Sequence, residues 1–247
     1  ASEATQMDLA QIIFNGSEEN LKQTQNAQVA IMTVSMAIMR ALESESKKHA
    51  ADFAKFCAGH SLGEYAALTA AGSMEVKVAA ALLKKRGLAM KEAAEMGGAA
   101  GMSAVLGLEK AAIEEVLASV QEAGKVCEIA NDNCPGQIVI SGNLDLLEKA
   151  SELLKAKGAR KVVPLPVSGG FHSSLMQPAA DVMKSEIEKM NIVFPKISVV
   201  QNVTAKVASD VAEIRENLVK QIAGQVHWTE SVQNMVAEGV DTFIEVG

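Results

Sequence analysis

The sequence is poor in the side chains that bind metals or form cross-links. Its three cysteines, Cys57, Cys127 and Cys134, are odd in number and show no CxxC spacing. They read as reduced buried thiols of a cytosolic-type compartment, not as a disulfide framework. The four histidines, His49, His60, His172 and His227, form no cluster in sequence, so no metal site is expected. There is no basic tract, and 23 Lys and Arg against 30 Asp and Glu leave a net charge of −7, which argues against a nucleic-acid partner. The longest apolar stretch, 29–39, is interrupted by Thr33 and Ser35; it falls short of the ~20 residues a membrane span needs. No signal peptide is visible. The chain starts at Ala1, not at methionine, which leaves room upstream for a removed transit peptide. What remains is 247 residues, 49% apolar and 21% charged. That composition suits a globular enzyme with one sizeable core and room for an inserted subdomain. A cytoplasmic monomer is expected.

The stretch Phe53 to Tyr65 organises the chain. Phe56-Cys57-Ala58 reads as a short strand buried on both faces, and the run from Ala66 to Ala71 reads as the start of a buried helix. Between them stands Gly59-His60-Ser61-Leu62-Gly63, a Gly-x-Ser-x-Gly turn. A strand that turns at once into a helix holds the serine in a strained conformation, and side chains two before and two after it are expected to collide, hence both glycines. The serine hydroxyl is then exposed beside a helix N-terminus, where the Leu62 N–H can stabilise an oxyanion.

Two other residues stand out on their own pattern. On a helix from Gly72-Ser73 to about Glu95, residues Ala79, Leu82, Leu83, Arg86 and Met90 share one face. A guanidinium at the centre of an apolar stripe needs a partner: an internal carboxylate, or one that arrives with a substrate. His172 lies in the Gly- and Ser-rich loop 166–176, where functional side chains concentrate, and it is the histidine best placed to serve Ser61 as a base.

Periodicity divides the chain. Residues from about 100 to 165 read strand, helix, strand, strand, helix, strand, the order of a ferredoxin-like subdomain, with Asn133-Cys134-Pro135-Gly136 as its central turn. Around it, residues 1–98 and 167–247 alternate helices with short strands, including Ile197 to Gln201 and a closing strand Thr242 to Val246. The fold class is therefore α/β, a hydrolase-like core with a mainly parallel sheet plus the inserted 99–166 subdomain.

The wording of the turn, Gly59-His60-Ser61-Leu62-Gly63-Glu64-Tyr65, resembles the nucleophile motif of the malonyl-CoA:acyl carrier protein transacylases of fatty-acid synthesis. Lys85-Arg86-Gly87 with Met90, Phe171-His172-Ser173 with Leu175-Met176, and Asn131 to Gln137 extend the resemblance over nearly the whole chain. It implies a Ser61 nucleophile with His172 as base, and Arg86 clamping the malonyl carboxylate. It further implies Phe171 as a residue of malonyl-selective members and Gln137 near the bound acyl group, although Gln137 could equally serve a strand end. Thr24, Gln28 and Ala30 match a segment whose glutamine lines the active site, with Val29 where proline is usual; a capping or solvated Gln28 is the competing reading. Coenzyme A thioester and phosphopantetheine enter as substrates, acyl carrier protein as partner, and no cofactor is implied. The family's Gly-Gln-Gly segment, which supplies a second oxyanion donor, and its Pro-Gly loop, whose carbonyl orients the histidine, do not occur in the 247 residues. Two rivals stay open: a serine esterase or thioesterase using Asp132 or Asp145 as its acid, and a non-catalytic carrier-protein docking module.

Overall fold

A computed structural model describes residues 1–247. The strands are β1 (Phe56–Ala58), β2 (Ala100–Leu106), β3 (Cys127–Cys134), β4 (Gln137–Asn143), β5 (Lys161–Pro164), β6 (Ser198–Val200) and β7 (Val226–His227). The principal helices are α1 (Thr24–Ser46), α2 (Gly63–Ala70), α3 (Val76–Met96), α4 (Lys110–Ser119), α5 (Leu144–Ala156), α6 (Gln177–Lys189), α7 (Val211–Ala223) and α8 (Trp228–Ala237).

Helix-forming Ala, Leu and Met dominate α1 and α3, which pack side by side. Their apolar faces meet Tyr65 and Leu68 of α2, Met183 and Ile187 of α6, and Leu218 and Ile222 of α7 in one core. Each such side chain contributes roughly 1.5–3 kcal/mol on burial. Within this core β1 runs parallel to β6, Phe56 opposite Ser198 and Ala58 opposite Val200. With a ladder on one edge only, the β1 residues are half-buried, not buried on both faces as their composition suggested.

The insert has the expected topology. Its four strands lie in the order β5-β2-β4-β3, antiparallel throughout, with α4 and α5 packed on one aliphatic core. The sheet does not stop at the insert's boundary, however. Strand β7, from the second half of the core, adds in parallel to β3, Asn131 opposite Val226 and Asp132 opposite His227. The 99–166 unit is thereby tied to the core by main-chain hydrogen bonds as well as by its two linkers.

The expected closing strand is absent. Thr242 to Val246 has β-prone residues, but no backbone N–H from 241–247 finds an acceptor, and Phe243 and Ile244 are exposed. A strand exists only as part of a ladder, and this segment has no ladder neighbour.

Candidate active site

The turn between β1 and α2 places Ser61 at φ 53°, in the left-handed region, at a cost of about 1–3 kcal/mol for a residue with a Cβ. The steric reason for its flanking glycines is one-sided. A Cβ on Gly59 would lie 2.0 Å from the Gly63 carbonyl oxygen, whereas a Cβ on Gly63 would meet nothing within 4 Å. Side chains over-determine the strained peptide. Asn202, just after β6, accepts from the Ser61 N–H at 2.6 Å and donates to the Gly59 carbonyl at 2.8 Å. Gln221 of α7 donates to the Ser61 carbonyl at 2.8 Å. The Leu62 N–H, at the start of α2, makes no hydrogen bond and remains available to an incoming oxyanion.

His172 is the second strained residue, at φ 55°. Its Nε2 lies 2.8 Å from Ser61 Oγ, and its Nδ1 lies 2.8 Å from the Gln221 carbonyl and 3.3 Å from that of Gly224. Carbonyls only accept, so the partners assign the proton to Nδ1, and Nε2 is left to accept from the serine. Burial, with Arg86 close by, lowers the His172 pKa to about 3, so the imidazole is neutral at neutral pH. The carbonyl that orients the histidine thus comes from the α7 C-terminus, inside this chain, and not from the Pro-Gly loop that the resemblance implied.

Arg86 is 1% exposed and sits on the stripe that the helical wheel predicted. Nη1 donates to Gln28 Oε1 at 2.6 Å, while Nη2 donates to Gln221 Oε1 at 2.8 Å and to Ser61 Oγ at 3.1 Å. Every acceptor is neutral, which removes the internal salt bridge from consideration. Its Nε is buried without a partner. Burial works against the guanidinium charge; the Tyr65 ring, 5.9 Å away, and the Glu64 carboxylate support it.

The other expected residues divide. Gln28 is buried, not solvated, and is held at 2.8 Å from Thr24 Oγ1 so that its oxygen faces Arg86. Phe171 lines the site and packs against both core and subdomain. Gln137 is not brought in: it opens β4 beside the turn, opposite Leu106 and Cys134, exposed, with its oxygen 3.8 Å from the sulfur of Cys134. Cys134 is itself exposed on this turn, and of the three cysteines only Cys127 is buried as the sequence suggested. Asn131, buried on β3, lines the site in its place. Together these groups form a cleft of about 490 Å3 between core residues Ser61, Arg86 and Met90 and subdomain residues Met102, Asn131 and Leu165. His60, which also lines the cleft, has its Nε2 2.9 Å from Asn133 Oδ1 of the subdomain, and its ring meets Trp228 edge-on.

Sequence reasoning missed Glu64, Asn202 and Gln221. Gln221 carried the same signal as Arg86, because Ile214, Asn217, Leu218, Gln221 and Ile222 share the buried face of α7. The acids that a hydrolase would need are elsewhere: Asp132 holds Thr229 and Lys110, and Asp145 pairs with Lys125 at the surface.

The fold and this site define a serine–histidine acyl-transfer enzyme of the α/β class. The acyl transferase domain family matches residues 2–247, and the chain belongs to that family. It is 44% identical over 247 residues to the malonyl CoA-acyl carrier protein transacylase of Bacillus subtilis (strain 168), covering 100% of this chain and 76% of that protein. Among solved structures it resembles the malonyl CoA-acyl carrier protein transacylase of Coxiella burnetii, with a TM-score of 0.95 at 37% identity over 100% of this chain and 76% of the other. A malonyl-transacylase solved in complex with its type II PKS acyl-carrier protein aligns with a TM-score of 0.91 at 36% identity, over 97% of this chain and 75% of that one.

Proposed function

We propose that this chain moves a malonyl group from malonyl-CoA to the phosphopantetheine thiol of acyl carrier protein through an ester on Ser61, supplying malonyl units to fatty-acid synthesis. One observation carries the reading: a base and a cation converge on one hydroxyl, with Ser61 Oγ 2.8 Å from His172 Nε2 and 3.1 Å from Arg86 Nη2. His172 takes the serine proton as Oγ attacks the thioester carbonyl, whose electron pair moves onto oxygen and is met by the Leu62 N–H. Collapse breaks the C–S bond, and the departing CoA sulfur receives the proton from His172. The carrier-protein thiol then repeats the sequence in reverse, leaving Ser61 free. Arg86 has no carboxylate of its own, so the malonyl carboxylate is the partner it lacks. Gln28 and Gln221 hold the guanidinium in place, and Phe171 closes the apolar side of the cleft.

The chemistry as written needs no metal or resident cofactor, and we place it in the cytoplasm on a monomer with no nucleic-acid role. No helix is long and apolar enough to cross a membrane. Acyl carrier proteins are typically acidic, so docking on a chain of net charge −7 needs local positive charge. Lys84 and Lys85 are held by the Thr5 carbonyl and Glu186. Lys91 and Lys22 line the cleft with exposed side chains, each beside a glutamate of its own helix, Glu95 and Glu18. Lys91→Glu should slow transfer to carrier protein and leave acylation by malonyl-CoA unchanged; equal losses in both half-reactions would remove Lys91 from the docking surface.

Intact-mass analysis after incubation with malonyl-CoA tests the reading. One malonyl adduct is expected, absent in Ser61→Ala. Rapid turnover to malonate would indicate a hydrolase, and no adduct in the wild type would indicate a docking module.

A further inference from the structure

Glu64 is the only acidic side chain buried in the protein, and the mechanism above does not use it. Three donors converge on its carboxylate: the Asn202 N–H at 3.0 Å, Gln221 Nε2 at 2.9 Å and Gln201 Nε2 at 3.2 Å. Two of these residues also hold the strained peptide, Asn202 through the Ser61 N–H and Gln221 through the Ser61 carbonyl. Gln221 does more. Its main-chain carbonyl faces His172 Nδ1, and its Oε1 accepts from Arg86.

An amide can be turned either way, and the choice here is forced. An ionised carboxylate only accepts, so Gln221 must present its NH2 to Glu64 and its oxygen to Arg86. With the amide reversed, oxygen would face carboxylate and NH2 would face guanidinium. Glu64 also offsets the buried charge of Arg86 at one remove, with the Gln221 amide between them. A direct ion pair would occupy the fork that an anionic substrate needs.

We propose that Glu64 is a positioning residue: its ionised carboxylate fixes Gln221 and Asn202, and through them the Ser61 peptide, the carbonyl on His172 and the acceptor of Arg86. The inference rests on the reading of Ser61 as the acylated residue. The ionisable groups facing Glu64 are Arg86 from α3 and Tyr65 from its own helix; α7 and the segment after β6 present only amides. Burial pushes the Glu64 pKa up to about 7, against the pull of its donors and of Arg86, so its charge changes in the neutral range. His172, held at about 3, does not titrate there.

The test is single-turnover acylation of Ser61 by malonyl-CoA and by acetyl-CoA, from about pH 5.5 to 8.5, in wild type and Glu64→Gln, with thermal melts. In the wild type the rate should rise through the neutral range for both donors. In Glu64→Gln the high-pH rate should fall about ten- to a hundredfold for both donors alike. The malonyl-to-acetyl ratio should be preserved and the rise with pH lost. A variant that keeps the wild-type rate, keeps the pH rise, or loses malonyl transfer alone overturns the proposal. So does a flat wild-type profile, which needs no variant to fold. Failure of wild type to acylate at all would instead overturn the proposed function.

Discussion

The two units of the molecule bury different things. The subdomain interior is aliphatic, with Val105, Ile113, Ile138, Ile140 and Leu154 enclosed between β-sheet and helices and no charged side chain buried among them. The core encloses a carboxylate, a guanidinium and an imidazole, Glu64, Arg86 and His172, together with the amides of Gln28, Gln201, Asn202, Asn217 and Gln221. A buried charge costs several kcal/mol unless it is hydrogen-bonded, and here each finds amide or backbone partners. The core therefore gives up stability to hold chemistry, while the subdomain supplies an inert wall to the cleft and a second attachment through β7.

The comparison breaks first at the turn. Gly59→Ala forces a Cβ into the Gly63 carbonyl, and either the turn opens or the protein fails to fold; acylation should be lost outright. Gly63→Ala places its methyl in open space and should leave activity near wild type, with stability changed by no more than about 0.5 kcal/mol. Equal damage from both would contradict the one-sided contact. Next in size is the subdomain core: Leu154→Ala should cost about 2–5 kcal/mol of stability, read as a lowered denaturation midpoint. The malonyl-to-acetyl ratio should not move, because no group of the site is touched; a shift in that ratio would show that the wall takes part in selection.

Smaller effects come from pH. His172 is depressed from 6.5 to about 3, so below about 6.5 the unfolded chain takes up a proton that the folded one refuses, and stability falls as pH falls. Glu64 is raised from 4.5 to about 7; between those values the folded state holds the extra proton, and stability falls as pH rises. The two oppose each other between about 4.5 and 6.5. Glu64 thus cancels about one proton of the acid-side loss. Wild-type melting temperature should fall only shallowly across that window, through His60 and His227, which are shifted in the same direction as His172. In Glu64→Gln nothing offsets His172, and stability should drop towards acid more steeply than in wild type, by up to about a further 1.4 kcal/mol per unit. A variant whose melting temperature is as flat as wild type would contradict one of the two shifts.

Much of this was legible in the sequence, for physical reasons that also explain the failures. The subdomain follows from alternating periods of two and 3.6, because each element there is half-covered by one neighbour. Ser61 is marked by its glycines, and Arg86 by a charge on an apolar stripe. Gln221 bore the same mark, but an uncharged amide on a buried face is less conspicuous than a guanidinium. Glu64 was hidden by the motif that contains it. Gln137 and the 242–246 segment failed for a shared reason: a residue type suited to a role says nothing of whether the chain delivers a partner to it. The β-prone tail met no ladder, and Gln137 stayed at the turn while Asn131 reached the cleft.

The measurement closest to the central claim is the ratio of malonyl to acetyl transfer in wild type and Arg86→Ala, with a thermal melt of each. Losing one member of a buried, hydrogen-bonded charge pair typically costs ~2–5 kcal/mol, which at about 1.4 kcal/mol per tenfold is roughly 30- to 3,000-fold in malonyl transfer. Acetyl-CoA has no carboxylate for Arg86 to hold, so its slower transfer should be unchanged or improved and the ratio should collapse. An unchanged ratio, with both activities and the melting temperature lowered together, would make Arg86 a structural residue and contradict the account.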